Sequence, residues 1–426
     1  MLDGGEGMDS LRICGGRRLE GEWTVGSAKN AVLPIMAASI LTDQPVTLLD
    51  CPCLTDIGYM ADILRTLGCR VSRDDGRMRI ESVDMDGFGM PDELSKKIRS
   101  SIFMLGPILA RFRKATVTYP GGCEIGMRPI DLHISGLRQL GVTVVEERGL
   151  IHCDGRQMRS GAVHFDYPSV GATENVMMAA VLLKGRTCLH NVAREPEIVD
   201  LQRFLNAIGA RVRGAGTNRI TVEGVAKLGG TTYRAMPDRI VAGTILAAAA
   251  ITGGRVRLLN APCEDMVAIL NKLQEMGCEL DEGVQRVELR APERLRAFTQ
   301  LQTQPHPGFP TDMQVQMLAL ASAAKGTSIV VENVFENRFT HAGDLNRMGA
   351  HIVVNGRTAI VQGVDTLFGA RVTARDLRGG AALALAALRA SGETVIDNAY
   401  LIDRGYERLE EVLCHLGADA RREPSE

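Results

Sequence analysis

A thiol and a guanidinium stand five residues apart in the segment Tyr119-Pro120-Gly121-Gly122-Cys123-Glu124-Ile125-Gly126-Met127-Arg128-Pro129. A cysteine close to fixed positive charge has a lowered pKa and is poised for proton transfer or nucleophilic attack. Three glycines and two prolines make a loop that bends at defined points. The alternative is an inert core cysteine, the expected fate of most of the other nine. A Gly-rich polar loop is a poor place for a core residue, which favours a functional Cys123.

A second pattern concerns where charge meets helix ends. Polar residues gather at Lys29-Asn30, Arg99-Ser100, Ser169 to Thr173, Asp238-Arg239, Thr311-Asp312 and Asp376 to Arg378. Each cluster opens an apolar stretch of helical length. Side-chain capping by Ser, Thr or Asp is one explanation. Capping leaves open why Lys or Arg recurs beside the positive end of a helix, which is unfavourable unless an anion is bound. Several phosphates or carboxylates held between two domains would account for it. His133, in Asp131-Leu132-His133-Ile134, reads as a capping or packing residue rather than a catalyst.

Other chemistries lack their signatures. No Walker A, dinucleotide-binding, zinc-protease or nucleophile-elbow motif occurs. The ten cysteines fit no metal spacing and, with no signal peptide apparent, are expected to be reduced thiols in a cytoplasm. The 49 basic and 51 acidic side chains nearly cancel, and aromatics are only 4%, so nucleic-acid binding is not expected. The longest uncharged stretch, Ile240 to Gly254, has 15 residues against the ~20 of a membrane span.

The elements that must position these residues are repeated. An apolar residue followed by Gly recurs at Leu67-Gly68, Leu140-Gly141, Ile208-Gly209, Met276-Gly277, Met348-Gly349 and Leu416-Gly417. Each closes an amphipathic helical pattern, where glycine takes the left-handed C′ conformation. Out of phase with these run six stretches that are apolar nearly all round: Ala28–Leu41, Ser100–Phe112, Gly171–Lys184, Ile240–Ile251, Asp312–Lys325 and Asp376–Arg389. Such helices are buried. A strand pattern follows each. Six units most economically form two α/β domains of three, with helices packed inside.

Together these segments resemble the UDP-N-acetylglucosamine 1-carboxyvinyltransferase family, over essentially the whole chain. The resemblance rests on Gly26 to Asn30, Pro120 to Asp131, Ser169 to Thr173, Arg194 to Glu197, Pro310 to Met313, Phe335 to Phe339, Asp376 to Arg378 and Asp403 to Glu407. It implies a two-domain inside-out α/β barrel with six βαβαββ repeats, three per domain. Residues 1–28 and 237–426 would form one domain and 29–236 the other, with the active site in the cleft between them. It implies transfer of the enolpyruvyl group of phosphoenolpyruvate to the 3′-hydroxyl of UDP-N-acetylglucosamine, the first committed step of peptidoglycan biosynthesis, with no cofactor and no metal.

By the same resemblance Cys123 is the general acid and the target of the epoxide fosfomycin. Asp312 accepts the hydroxyl proton or holds the hydroxyl in line. Lys29, Asn30, Arg128 and Arg404 hold phosphoenolpyruvate. Arg99, Arg128, Pro129, Ile130, Asp131, Leu132, Ser169, Val170, Gly171, Asp312 and Val334 match positions on the UDP-sugar, and Arg338, Asp376 and Arg378 support the charged cluster. Tyr167-Pro168 precedes Ser169 where some relatives carry a Lys. Substrate binding is expected to draw the domains closed. A shikimate-pathway enolpyruvyl transferase, a non-catalytic UDP-sugar-binding regulator and an RNA-terminal phosphate cyclase are the competing readings. The Gly-Gly-Cys loop argues against the first, the retained Cys123, Asp312 and arginines against the second, and neutral charge against the third.

Overall fold

The computed structural model describes residues 9–119, 121 and 130–424. Six helices carry its cores: α1 (Lys29–Ala38), α2 (Leu105–Phe112), α3 (Val170–Ala180), α4 (Arg239–Thr252), α5 (Thr311–Ala323) and α6 (Leu377–Arg389). Their boundaries follow the apolar stretches, except that Ser39–Leu41 is 3-10, α3 stops at Ala180 before the expected Lys184, and the first half of Ser100–Phe112 winds as a 3-10 helix over Arg99–Met104. Pro107 lies in the first turn of α2. It has no N–H to give to the carbonyl four residues back, which makes that turn a favourable place for it, although α1 does accommodate Pro34 in its interior.

One repeat shows the plan. Strand Ala162–His164, α3, strand Arg186–His190, helix Pro196–Ala207 and strands Arg211–Arg213 and Arg219–Glu223 follow one another as βαβαββ. The first two strands pair parallel, and Arg219–Glu223 lies antiparallel between Arg186–His190 and Arg211–Arg213. Five sheets have four strands each and one has three, and none closes into a barrel among the described residues. In the short sheet, around Lys114–Thr118, the missing strand is reduced to a single parallel bridge from Gly89 to Thr116. All six glycines picked out by their spacing have φ between +90° and +101°. A side chain there would be strained, so the sequence periodicity is a record of backbone geometry.

The described residues form two compact units. A central unit holds 26–236, and a C-terminal unit joins 9–25 to 237–424. The division lies three residues before the expected 28/29 boundary. Ala28 donates its amide to the Met236 carbonyl at 2.7 Å, and Ser27 Oγ donates to the Ala235 carbonyl at 3.4 Å, tying both to the central unit. Two strands sit away from the helix that follows them. Glu20–Thr24 precedes α1 but lies beside Arg255–Leu259 in the C-terminal unit; Thr231–Arg234 precedes α4 but lies beside Val46–Leu49 in the central one. The first strand, Asp9–Cys14, is inserted antiparallel between Glu393–Asp397 and Asp419–Pro424. It thereby completes the sixth repeat.

Within the C-terminal unit α4, α5 and α6 pack on one another, and in the central unit α2 packs on α3 and α1 on the Arg99–Met104 turn. The interior is mostly Ala, Leu, Ile, Val and Met. Small side chains let three helices approach closely without voids. The polar groups at the helix starts are therefore held on rigid, buried elements.

Candidate functional site

In the central unit Lys29 opens α1 and is only 7% exposed. Its Nζ stands 2.7 Å from Oδ2 of Asp56, a buried carboxylate on the helix Thr55–Thr66. Asn30 beside it is exposed. Arg99 begins the 3-10 turn against which α1 packs. Ile130 is buried and precedes the helix Asp131–Gln139, whose first two residues, Asp131 and Leu132, are exposed and half-buried. Ser169 caps α3, its side chain accepting from the Ala172 N–H at 3.4 Å, and Val170 and Gly171 form the first turn.

His133 ties these starts together. Asn175 on α3 gives Oδ1 to the Gly106 amide at 2.8 Å, and its Nδ2 donates to the Ile102 carbonyl at 2.9 Å and to His133 Nδ1 at 2.8 Å. That pattern assigns the imidazole proton to Nε2. Burial, reinforced by the Arg99 charge, pushes the His133 pKa down to about 3, so the ring is neutral. A Cβ on Gly171 would stand 2.9 Å from His133 Cε1. Arg99, the Asp131 helix start and the Ser169–Gly171 turn thus converge on one ring. His133 is a packing residue, as expected; it does not cap, and Asn175 explains why it is where it is.

In the C-terminal unit Asp312 lies in the first turn of α5. Arg338 Nη2 donates to its Oδ1 at 2.8 Å and Arg378 Nη2 to its Oδ2 at 3.2 Å. The guanidinium side chains are 2% and 3% exposed, the carboxylate 27%. The arrangement buries two cations and leaves the carboxylate partly exposed. Burial lowers the Arg378 pKa, but the surrounding Tyr406, Asp312 and Asp238 outweigh it and the net shift is upward. Asp376 caps α6 by accepting from the Arg378 and Gly379 amides at 2.9 and 3.0 Å, which fixes the start of the helix bearing Arg378. Arg404 ends a 3-10 turn and is half-buried; the next residue, Gly405, lies against Arg378, where a Cβ would be 3.6 Å from Nη1.

Val334 reaches the same cluster through Glu332, a fully buried carboxylate that accepts from Thr303 Oγ1 at 2.8 Å, Thr311 Oγ1 at 2.9 Å, and the Val334 and Phe335 amides at 2.8 and 3.0 Å. Glu332 therefore pins the 334–335 turn to the residue preceding Asp312. Neither Glu332 nor Asp56 was singled out from the sequence. Both are lone carboxylates without a motif, and only the tertiary contact reveals their work.

These contacts correct the electrostatic argument from sequence. Three of the six starts carry side-chain caps (Ser169, Asp238 and Asp376), while Ala28, Ile98 and Pro310 precede the others and provide none. Lys29, Arg338 and Arg378 meet internal carboxylates, so a bound anion is not required to explain basic residues there. The reason is that Asp56 and Asp312 supply the compensating charge from within each unit. Cys123, Arg128 and Pro129 lie outside the described residues. Among those described, no His, Cys, Asp and Glu cluster of three could hold a metal ion, and no helix is long and apolar enough to cross a membrane.

Residues 13–413 match the EPSP synthase (3-phosphoshikimate 1-carboxyvinyltransferase) family. The chain is 49% identical over 97% of its length to all of a Caldanaerobacter subterraneus subsp. tengcongensis protein named UDP-N-acetylglucosamine 1-carboxyvinyltransferase 2. It is 48% identical over 98% of its length to all of the Myxococcus xanthus protein named UDP-N-acetylglucosamine 1-carboxyvinyltransferase. Among solved structures, the enolpyruvyl transferase NikO from Streptomyces tendae superposes with a TM-score of 0.88 at 23% identity, covering 99% of this chain and 100% of that one. EPSP synthase from Acinetobacter baumannii gives 0.75 at 17%, covering 98% and 100%. The last two establish the enolpyruvyl transferase fold. Identity near one half along the whole chain establishes more: the chain belongs to the UDP-N-acetylglucosamine 1-carboxyvinyltransferase family.

Proposed function

We propose that the protein transfers the enolpyruvyl group of phosphoenolpyruvate to the 3′-hydroxyl of UDP-N-acetylglucosamine, releasing phosphate, as the committing step toward peptidoglycan in the cytoplasm. The observation that carries the reading is Asp312, a partly exposed carboxylate fixed at the start of a buried helix by two buried guanidiniums. An attacking hydroxyl needs a base or an aligning acceptor that does not itself move, and this carboxylate fits that need.

The chemistry balances as an addition followed by an elimination. C-3 of phosphoenolpyruvate takes a proton from Cys123 while the sugar oxygen bonds to C-2 and its proton passes to Asp312. The resulting ketal returns a proton from C-3 to the Cys123 thiolate and expels phosphate, which carries off the proton held by Asp312, restoring the double bond and both side chains. Lys29, Asn30, Arg128 and Arg404 hold the phosphate and carboxylate of phosphoenolpyruvate in this scheme. Arg99, Arg128 to Leu132, Ser169 to Gly171 and Val334 hold the UDP-sugar, with Ser169 to Gly171 offering helix-start N–H groups to a diphosphate. Arg338, Asp376 and Arg378 keep Asp312 in place.

The test is phosphate release from phosphoenolpyruvate with each of two acceptors. UDP-N-acetylglucosamine should support turnover and shikimate 3-phosphate should not. Turnover with shikimate 3-phosphate alone would replace this reading with its nearest rival.

A further inference from the structure

Polar side chains in an apolar helical core are unfavourable unless each finds a partner. Three meet inside the C-terminal unit. Gln316 Nε2, on α5, donates to Tyr406 OH and to Thr244 Oγ1, each at 3.0 Å. Thr244, on α4, donates its own hydroxyl proton to the Ile240 carbonyl at 2.8 Å. Its Oγ1 lies 3.0 Å from Tyr406 OH, so the tyrosine is the donor of that bond. The Tyr406 ring is thus fixed from two helices. Its face carries the Arg378 guanidinium, 5.2 Å from the ring centroid.

Arg378 is otherwise weakly specified. Nη2 reaches Asp312, but Nε and Nη1 are buried with no hydrogen-bond acceptor among the described residues. The bond to Asp312 alone leaves the plane of the guanidinium under-determined, and Tyr406 beside it supplies the remaining constraint. We infer that Tyr406, held by Gln316 and Thr244, is a positioning residue that orients Arg378 and through it the Asp312 carboxylate. The inference rests on the function proposed above and adds a support that reaches across all three buried helices of the unit.

The test compares Tyr406→Phe and the triple variant Thr244→Val, Gln316→Leu, Tyr406→Phe with wild type. Filling a polar core site with apolar groups of matching shape is often neutral for stability, so the thermal midpoint should change little. The expected loss is about tenfold in kcat, with less than about a twofold change in KM for UDP-N-acetylglucosamine, because the orientation matters to the reacting hydroxyl rather than to binding. In an Asp312→Asn background the same substitutions should cost almost nothing further, since the group they orient is gone. Unchanged kcat, or an equal loss in both backgrounds, overturns the inference. A second readout needs no turnover. The Arg378 Nε–H resonance, assigned by its disappearance in Arg378→Lys, should shift or broaden in the triple variant. An Arg378 signal identical to wild type overturns the inference whichever acceptor the enzyme uses. A wild type that turns over only shikimate 3-phosphate, with the Arg378 signal responding, defeats the proposed substrate alone.

Discussion

Replacing Asp312 removes a base and also strips two buried guanidiniums of their counter-charge. Asp312→Ala should therefore lower kcat by ~10²-fold or more, the usual worth of a positioned proton acceptor. It should also lower stability by about 3–5 kcal/mol, the cost of an uncompensated buried charge. Urea unfolding beside phosphate-release kinetics separates the two effects; a folded Asp312→Ala protein with near-wild-type kcat would leave Asp312 a structural role only. Thiol reactivity is the second residue-scale expectation. Burial pushes Cys69 up to about 11 and Cys153 and Cys278 up to about 12, so these stay protonated and inert near neutral pH. Peptide mapping after brief fosfomycin treatment should find the adduct on Cys123 and not on those three; full activity in Cys123→Ala would remove its proposed role. Glu174 is the third. It is fully buried with neither carboxylate oxygen hydrogen-bonded among the described residues, and burial, then Glu197 and Glu195, raises its pKa well above the usual range. An acid whose folded pKa is raised is most favourable to folding below its unfolded value of ~4.3, and that contribution is lost as pH rises toward the folded pKa. Glu174→Gln should accordingly gain stability relative to wild type as pH increases from about 4.3, measured as urea midpoints at several pH values; a gap independent of pH would show that Glu174 does not titrate differently on folding.

At the scale of elements, the six C′ glycines allow a controlled comparison. Gly209 has φ +101° with nothing within 4 Å of a built Cβ, so Gly209→Ala tests backbone strain alone and should cost ~1–2 kcal/mol. Gly141 has φ +92° and a Cβ there would lie 2.6 Å from the Gln157 carbonyl oxygen, so Gly141→Ala should cost more. Equal unfolding midpoints for the two variants would contradict the assignment of separate strain and contact terms. These elements were the most legible part of the chain. Apolar stretches such as Ile240–Ile251 and the Leu-Gly punctuation are local signals, and α4 follows the first within a residue at either end. The 3-10 turn before Pro107 was less legible, because it lies inside an apolar run that reads as continuous. The site divided the same way. Asp312, Ser169 and Asp376 declare themselves by standing at helix starts, whereas Asp56, Asn175 and Glu332 act only through partners distant in sequence. Asn175 accepts from Gly106 across 69 residues, and no periodicity announces such a pair.

At the scale of the whole molecule, the six repeats are one unit reused, yet the chain does not pass through them in simple succession. The described residues of the central unit all fall between 26 and 236. Those of the C-terminal unit come from both ends of the chain: its first strand, Asp9–Cys14, is flanked on both sides by strands from the end of the chain, and the Ser10 hydroxyl bonds to the Glu423 carbonyl across 413 residues. That placement has a consequence for biosynthesis. As the chain leaves the ribosome from its N-terminus, the first strand emerges with no partner, carrying Leu11 and Ile13, which end fully buried. The central unit can close while the remaining half is still being made, but the opening strand must wait, unpaired, until the last residues are released. A loop-closure entropy that grows only logarithmically with length makes this tolerable thermodynamically, whereas the rate of closure is set by the most distant contact. Through that interval the edge is open to pairing with a neighbouring nascent chain.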